Sequence, residues 1–218
     1  LPDKAHEVSP DSVLAHGYLA YAWAIRWGEH GGGDDARRKA EEHLKQAQEE
    51  AESSKEESSH LYAAEALVKT YGGKGTDALG ELEKRVKDFE AQGRASSLLN
   101  LTLGLAQMNA GDLERARDSL DKAQQLAQTD PRIYASLGSV YRRLGQDNTA
   151  WTQYDNALRY EKDHPEALLG KSLLMMDQDS PSLELYELAA KMLKKLLEVD
   201  PPPSPRQLAT AQLARSLL

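Results

Sequence analysis

Six histidines, two glycine-rich stretches and several carboxylate runs are the residues of this chain that could do chemistry. A metal site needs ligands that a fold can gather, such as two histidines one helical turn apart. His6, His16, His30, His43, His60 and His164 show no such spacing, so no metal site is expected. Gly31-Gly32-Gly33 and Gly72-Gly73-Lys74-Gly75 are glycine-rich enough to suggest phosphate-cradling loops. Such a loop follows a strand and ends in Lys-Ser/Thr, and neither stretch does. Both read as turns. Glu49, Glu50, Glu56 and Glu57 sit in charge runs of the kind that solvate a helix face, and nothing singles out a pair with a raised pKa. The absence of cysteine excludes disulfides, thiolate ligands and cysteine nucleophiles. No catalytic residue, metal or cofactor is expected, and the chain reads as a non-enzyme.

The elements behind these residues are helices. The chain has 218 residues, 40% apolar and 28% charged, enough to bury a core. Ala, Leu, Glu, Gln, Lys and Arg dominate, and these are good helix formers. A single Phe and few β-branched residues argue against a sheet. The net charge is −8, and bases alternate with acids, as in Glu81–Lys87, so no nucleic acid partner is expected. No run of about 18 apolar residues exists, so no membrane insertion is expected. The chain reads as soluble. Lack of cysteine suits a reducing or an oxidising compartment, which leaves cytoplasm and periplasm both open. The chain begins at Leu1 without Met, which predicts an excised domain or a processed chain.

A 34-residue period organises the sequence. Gly104, Gly138 and Ser172 keep it, as do Leu103 and Leu137, Ala116 and Ala150, Leu120 and Tyr154, and Ala123 and Ala157. The clearest unit, 131–164, reads Tyr134, Leu137-Gly138, Tyr141, Ala150, Tyr154, Ala157. Unit 97–130 matches it with Leu103-Gly104, Ala116, Leu120 and Ala123. Weaker units span 10–58, 59–92 and 165–203, and residues 205–218 read as one more first helix. The eighth place of every unit is small: Gly17, Ala66, Gly104, Gly138, Ser172. The twentieth is Ala in the three middle units, Ala78, Ala116 and Ala150, and Ala40 and Ala189 take that place once the long first helix with its His30–Asp35 connection and about five extra residues around Asp179–Leu185 are allowed for. Leu or Tyr follows each of these alanines four residues later. Small residues at matching places let two helices approach while larger neighbours fill the grooves. Gly111 and Gly145 are expected to end first helices in a left-handed cap, and Pro131 and Pro165 to open them.

This pattern resembles the tetratricopeptide repeat, a 34-residue helix–turn–helix. The resemblance implies one all-α domain over 1–218, a right-handed α-solenoid of about five helix pairs with a C-terminal capping helix. It also implies a concave groove lined by first helices, which holds a protein or peptide. In that register Leu98, Leu101, Thr102, Leu105, Met108 and Asn109 face inward, followed by Arg132, Ala135, Ser136, Ser139, Arg142 and Arg143. The unit from 59 contributes Leu67, and the unit from 165 contributes Glu166, Leu169 and Gly170. The expected strip runs from Leu67 through Leu101 to Arg142, apolar and then basic.

One subgroup of the family grips a C-terminal carboxylate with Lys and Asn. This chain has Leu or Ala at most of those places, so that clamp is not expected. The groove is expected to take an apolar or amphipathic segment whose acidic neighbour meets Arg132, Arg142 and Arg143. Leu101, Leu105 and Met108 would each contribute about 1.5–3 kcal/mol if fully buried by the partner. First-helix leucines can equally be core. Tyr18 and Tyr21, on an aromatic helix with Trp23 and Trp27, could form a binding ledge or an end cap.

Three functions fit this reading. The first is an interaction scaffold, in style similar to bacterial repeat proteins of secretion, pilus or motility assemblies. The second is a structural spacer in a longer array, able to self-associate. The third is the substrate-recognition module of a larger enzyme.

Overall fold

The structure is a computed structural model, and it describes residues 12–28, 33–177 and 182–198. Ten α-helices and no strand occupy the described residues. They are α1 (Val13–Gly28), α2 (Gly33–Ser54), α3 (Ser59–Tyr71), α4 (Gly75–Ala91), α5 (Ser97–Asn109), α6 (Leu113–Leu126), α7 (Pro131–Arg143), α8 (Asp147–Tyr160), α9 (Pro165–Met176) and α10 (Leu183–Glu198). The all-α solenoid class read from the period is the class observed. Each repeat window contains two helices. The capping helix expected at 205–218 lies outside the described residues.

The turns follow from the glycines. Gly73, Gly111 and Gly145 have φ of 83°, 85° and 73°, the left-handed conformation that a Cβ disfavours. Each allows the same closure. The N–H of Asp112 donates to the Gln107 carbonyl at 3.0 Å, and that of Gln146 to Tyr141 at 2.9 Å. Lys74 does the same to Lys69 at 2.8 Å. These are the bonds by which a left-handed cap satisfies the last helical carbonyls. The starts are equally local. Pro131 opens α7, and the Asp130 carboxylate accepts from the Arg132 N–H at 3.0 Å.

Packing explains the small-residue skeleton. Ala40, Ala78, Ala116, Ala150 and Ala189 are all buried, and so are Leu44, Leu82, Leu120, Tyr154 and Leu193 four residues on. The chain divides into two compact units, Leu1–Asp112 and Leu113–Leu218, so the division falls inside the sequence unit 97–130. In the first unit α1 packs on α2 and α3, and α5 on α3 and α4. Its core joins Tyr21, Leu44, Leu61, Leu67, Leu82, Phe89, Leu99 and Leu103. In the second unit α7 packs on α6, α8 and α9, and α9 on α10. One cluster there centres on Tyr134, Tyr154 and Leu174, and another on Leu168, Met175, Leu193 and Leu196.

Candidate protein-docking site

In the first unit the expected contact residues separate by depth. Leu67 and Leu101 are only 5% and 2% exposed, and Tyr21 lies in the same core cluster as Leu67. Their apolar surface is already buried, so the structure does not bring these three to the surface where a partner could use them. Leu105 and Met108 are half-buried, and Asn109 is exposed. Leu98 in the first turn of α5 is half-buried too, and in the last turn Leu105, Met108 and Asn109 stand together at three- and four-residue spacing. Tyr18 is half-buried. Its ring centroid is 5.7 Å from that of His60, and Tyr21 meets the same imidazole edge-on at 6.4 Å. The aromatic helix thus spends two tyrosines on α3.

The second unit holds a polar cluster that no single repeat reveals. Tyr154 leaves α8, and its ring fills the space that a Cβ would occupy at Gly138 of α7 and at Gly170 of α9. A methyl built at those glycines would lie 2.5 and 2.2 Å from the ring. This passage brings the phenol oxygen to Ser139, 3.2 Å away. The Ser139 hydroxyl donates in turn to Glu166 Oε1 at 2.8 Å. Burial pushes the Tyr154 phenol above its ordinary pKa. The Ser139 hydrogen bond opposes that shift, the Glu166 charge adds to it and nearby Arg142 opposes it. The register joins Ser139, Arg142 and Glu166, but Tyr154 enters from the other helix layer. Gly170 was the available signal. A glycine inside a helix costs about 1 kcal/mol, so it marks a close approach.

The three expected arginines differ. Arg132 is exposed and clasps Asp130, with Nε to Oδ1 at 3.0 Å and Nη2 to Oδ2 at 2.6 Å. Burial alone would raise the Asp130 carboxyl, but Arg132 holds it below the usual range. That arginine serves the start of its own helix. Arg143 is exposed, and Arg142 is half-buried with its Nε enclosed.

One pairing was invisible to spacing. His16 of α1 and His43 of α2 face each other with Nδ1 atoms 3.2 Å apart, and Glu50 lies 3.7 Å from His16 Nε2. No group of three or more such side chains among the described residues could hold a metal ion. No helix of the described residues is long and apolar enough to cross a membrane.

Comparison with known proteins agrees with this architecture. A family model for the tetratricopeptide repeat matches residues 99–130. Residues 99–130 thus match a tetratricopeptide repeat, and the helix pairs and small-residue seams of the other described residues have the same fold. The chain's fold is similar to that of a thermophilic repeat protein from Thermus thermophilus, at 18% identity, 91% coverage of this chain, 98% of that one and a TM-score of 0.64. PilF of Pseudomonas aeruginosa gives 20% identity, 97% and 90% coverage and a TM-score of 0.59. MamA gives 23%, 77% and 88%, and 0.51. At these identities the likeness is one of fold. No curated protein sequence matches the chain.

Proposed function

We propose that the chain is a non-catalytic docking module that holds a segment of a partner protein against its first helices. The observation that carries this reading is the last turn of α5. Leu105 and Met108 keep accessible apolar surface beside exposed Asn109, although Leu99, Leu101 and Leu103 of the same helix are buried. Such a face suits the apolar side of an amphipathic segment, with a polar group to fix its register. The likeness in fold to proteins of Pseudomonas aeruginosa and Thermus thermophilus supports a bacterial setting, and with it a place in a secretion, pilus or motility assembly.

A spacer role in a longer array is favoured by one other feature. Leu183 of α10 is 74% exposed and Leu188 is 45% exposed, apolar surface that a further helix could cover. Concentration-dependent sedimentation separates the two roles, since only the spacer predicts self-association in the micromolar range. The docking role is tested with a photo-crosslinking amino acid placed in the source cell at position 105 or 108, and at exposed Lys87 of α4 as a control. One shared protein adduct at 105 and 108 but not at 87 is expected. Equal labelling at all three would remove the proposal.

A further inference from the structure

The seventh, eleventh and twenty-seventh places of unit 131–164 are Leu137, Tyr141 and Ala157, and Leu137 and Ala157 are fully buried. The same places of unit 59–92 are Glu65, Lys69 and Arg85. Three charges thus replace apolar residues along the α3–α4 seam, inside the first compact unit. They leave a cleft of about 170 Å³ between the two helices, lined by the apolar residues Ala66, Ala78 and Leu82 and by the charged residues Glu65, Glu81 and Arg85. Opposite charges are kept apart within it. Lys69 bridges Glu65, at 3.1 Å, and Glu81, so two carboxylates share one ammonium. Glu81 stands four residues before Arg85, the spacing and order that favour an ion pair on a helix. Arg85 turns instead to Tyr62, its guanidinium 4.2 Å from the ring centroid. Among the described residues no carboxylate forms an ion pair with Arg85, and Glu57, the other acid beside that ring, is held by Arg94 at 3.1 Å. A carboxylate pair short of one positive charge and a guanidinium short of one negative charge therefore share one small cleft.

We infer that this cleft binds a free α-amino acid with a small apolar side chain, its ammonium on Glu65 and Glu81 and its carboxylate on Arg85. A zwitterion supplies both missing charges at once. An anion alone would meet the two carboxylates, and a cation alone would meet Lys69, Arg85 and exposed Lys84, so either carries a like-charge penalty. The guanidinium fork matches a carboxylate in two parallel bonds, and its stacking on Tyr62 holds the fork in place. Size agrees, since drug-sized ligands occupy about 300–1,000 Å³ and this cleft is smaller. Ala66, Ala78 and Leu82 give an apolar side chain its contact. The site lies on α3 and α4, apart from the last turn of α5, and stands whether or not a partner docks there.

The test uses the full chain, labelled with nitrogen-15, and follows the backbone amides of Ala66, Ala78 and Arg85 as three probes are titrated. L-valine carries both charges, N-acetyl-L-valine lacks the ammonium and L-valine methyl ester lacks the carboxylate. Saturable shifts with L-valine are expected, at least about tenfold tighter than with either blocked form. Arg85→Ala, which restores the residue type of the closed unit, should abolish L-valine binding. Glu81→Gln, at an exposed position, should weaken it by about tenfold while the thermal midpoint stays within a few degrees of native. That variant keeps the test decisive if Arg85→Ala does not fold. No saturable shift with L-valine would overturn the inference. Equal binding of the N-acetyl form would leave an anion site only, equal binding of the ester a cation site only, and each would overturn it too, as would native affinity in Glu81→Gln or in folded Arg85→Ala.

Discussion

The α1–α3 seam and the α7–α9 seam use the same kind of residue in different ways. At Gly17 the missing Cβ lets backbone meet backbone, since a methyl there would lie 2.9 Å from the Leu61 nitrogen. At Gly138 and Gly170 the missing Cβ atoms are replaced by a ring, and the helices are joined through Tyr154. At Gly17 the first seam is a direct backbone contact, and the ring that fills the Cβ position of Gly28 further along it, Tyr71, comes from α3 itself. The second carries a side chain across from the other layer, and with it a hydroxyl that organises Ser139 and Glu166. A small eighth place therefore specifies closeness, while the residue twenty-four places into the unit decides what the closeness is used for.

The largest effect should come from removing the ring. Tyr154→Ala is expected to cost about 3–5 kcal/mol in urea unfolding, because a buried aromatic leaves a cavity between two helices. Adding a methyl sharpens the comparison. Gly17→Ala and Gly138→Ala should each cost about 1–3 kcal/mol by overpacking. Only the second should be relieved by Tyr154→Leu, with a coupling of about 1 kcal/mol or more in a double-mutant cycle. Equal coupling of Tyr154→Leu to both glycines would erase the distinction between the seams.

Glycines outside the seams provide the scale. Gly145→Ala should cost about 1 kcal/mol through its positive φ. Gly80→Ala in α4 should instead stabilise by about 0.5–1 kcal/mol, since its Cβ meets open space on a regular helix. Thermal unfolding of the pair checks both signs.

The smallest effect concerns pH. Burial, the main cause, holds the His164 imidazole below its ordinary range against the pull of Glu161 and Asp130. Above the unfolded pKa of about 6.5 both states are neutral there, and this group leaves stability level. Below it the unfolded chain takes up the proton first, so stability falls until the pH reaches the folded value. His164→Gln should flatten that fall below about pH 6.5, and an unchanged slope would place the titration elsewhere.

The fold was legible in the sequence because its rules are local and repeated. Gly73, Gly111 and Gly145 end first helices by backbone chirality, and an alanine recurs wherever two helices touch. The site was legible only by register. Spacing identified Ser139, Arg142 and Asn109 as members of first helices. It could not say that Leu67, Leu101 and Tyr21 are consumed by packing, because an inward-facing leucine serves core and surface alike. The contacts Tyr154–Gly170 and His16–His43 depend on which helices adjoin, a fact that no periodicity contains.

The proposed docking role requires that accessible first-helix residues hold a partner while buried ones hold the fold. Partner capture from the source cell and thermal unfolding, measured side by side for Leu105→Ser with Met108→Ser and for Leu101→Ser, test it directly. The first variant should lose capture while its melting midpoint stays within a few degrees of native. Leu101→Ser should lose about 2–5 kcal/mol in stability. Native-level capture by the Leu105/Met108 variant, or a stable Leu101 variant that fails to capture, would contradict it.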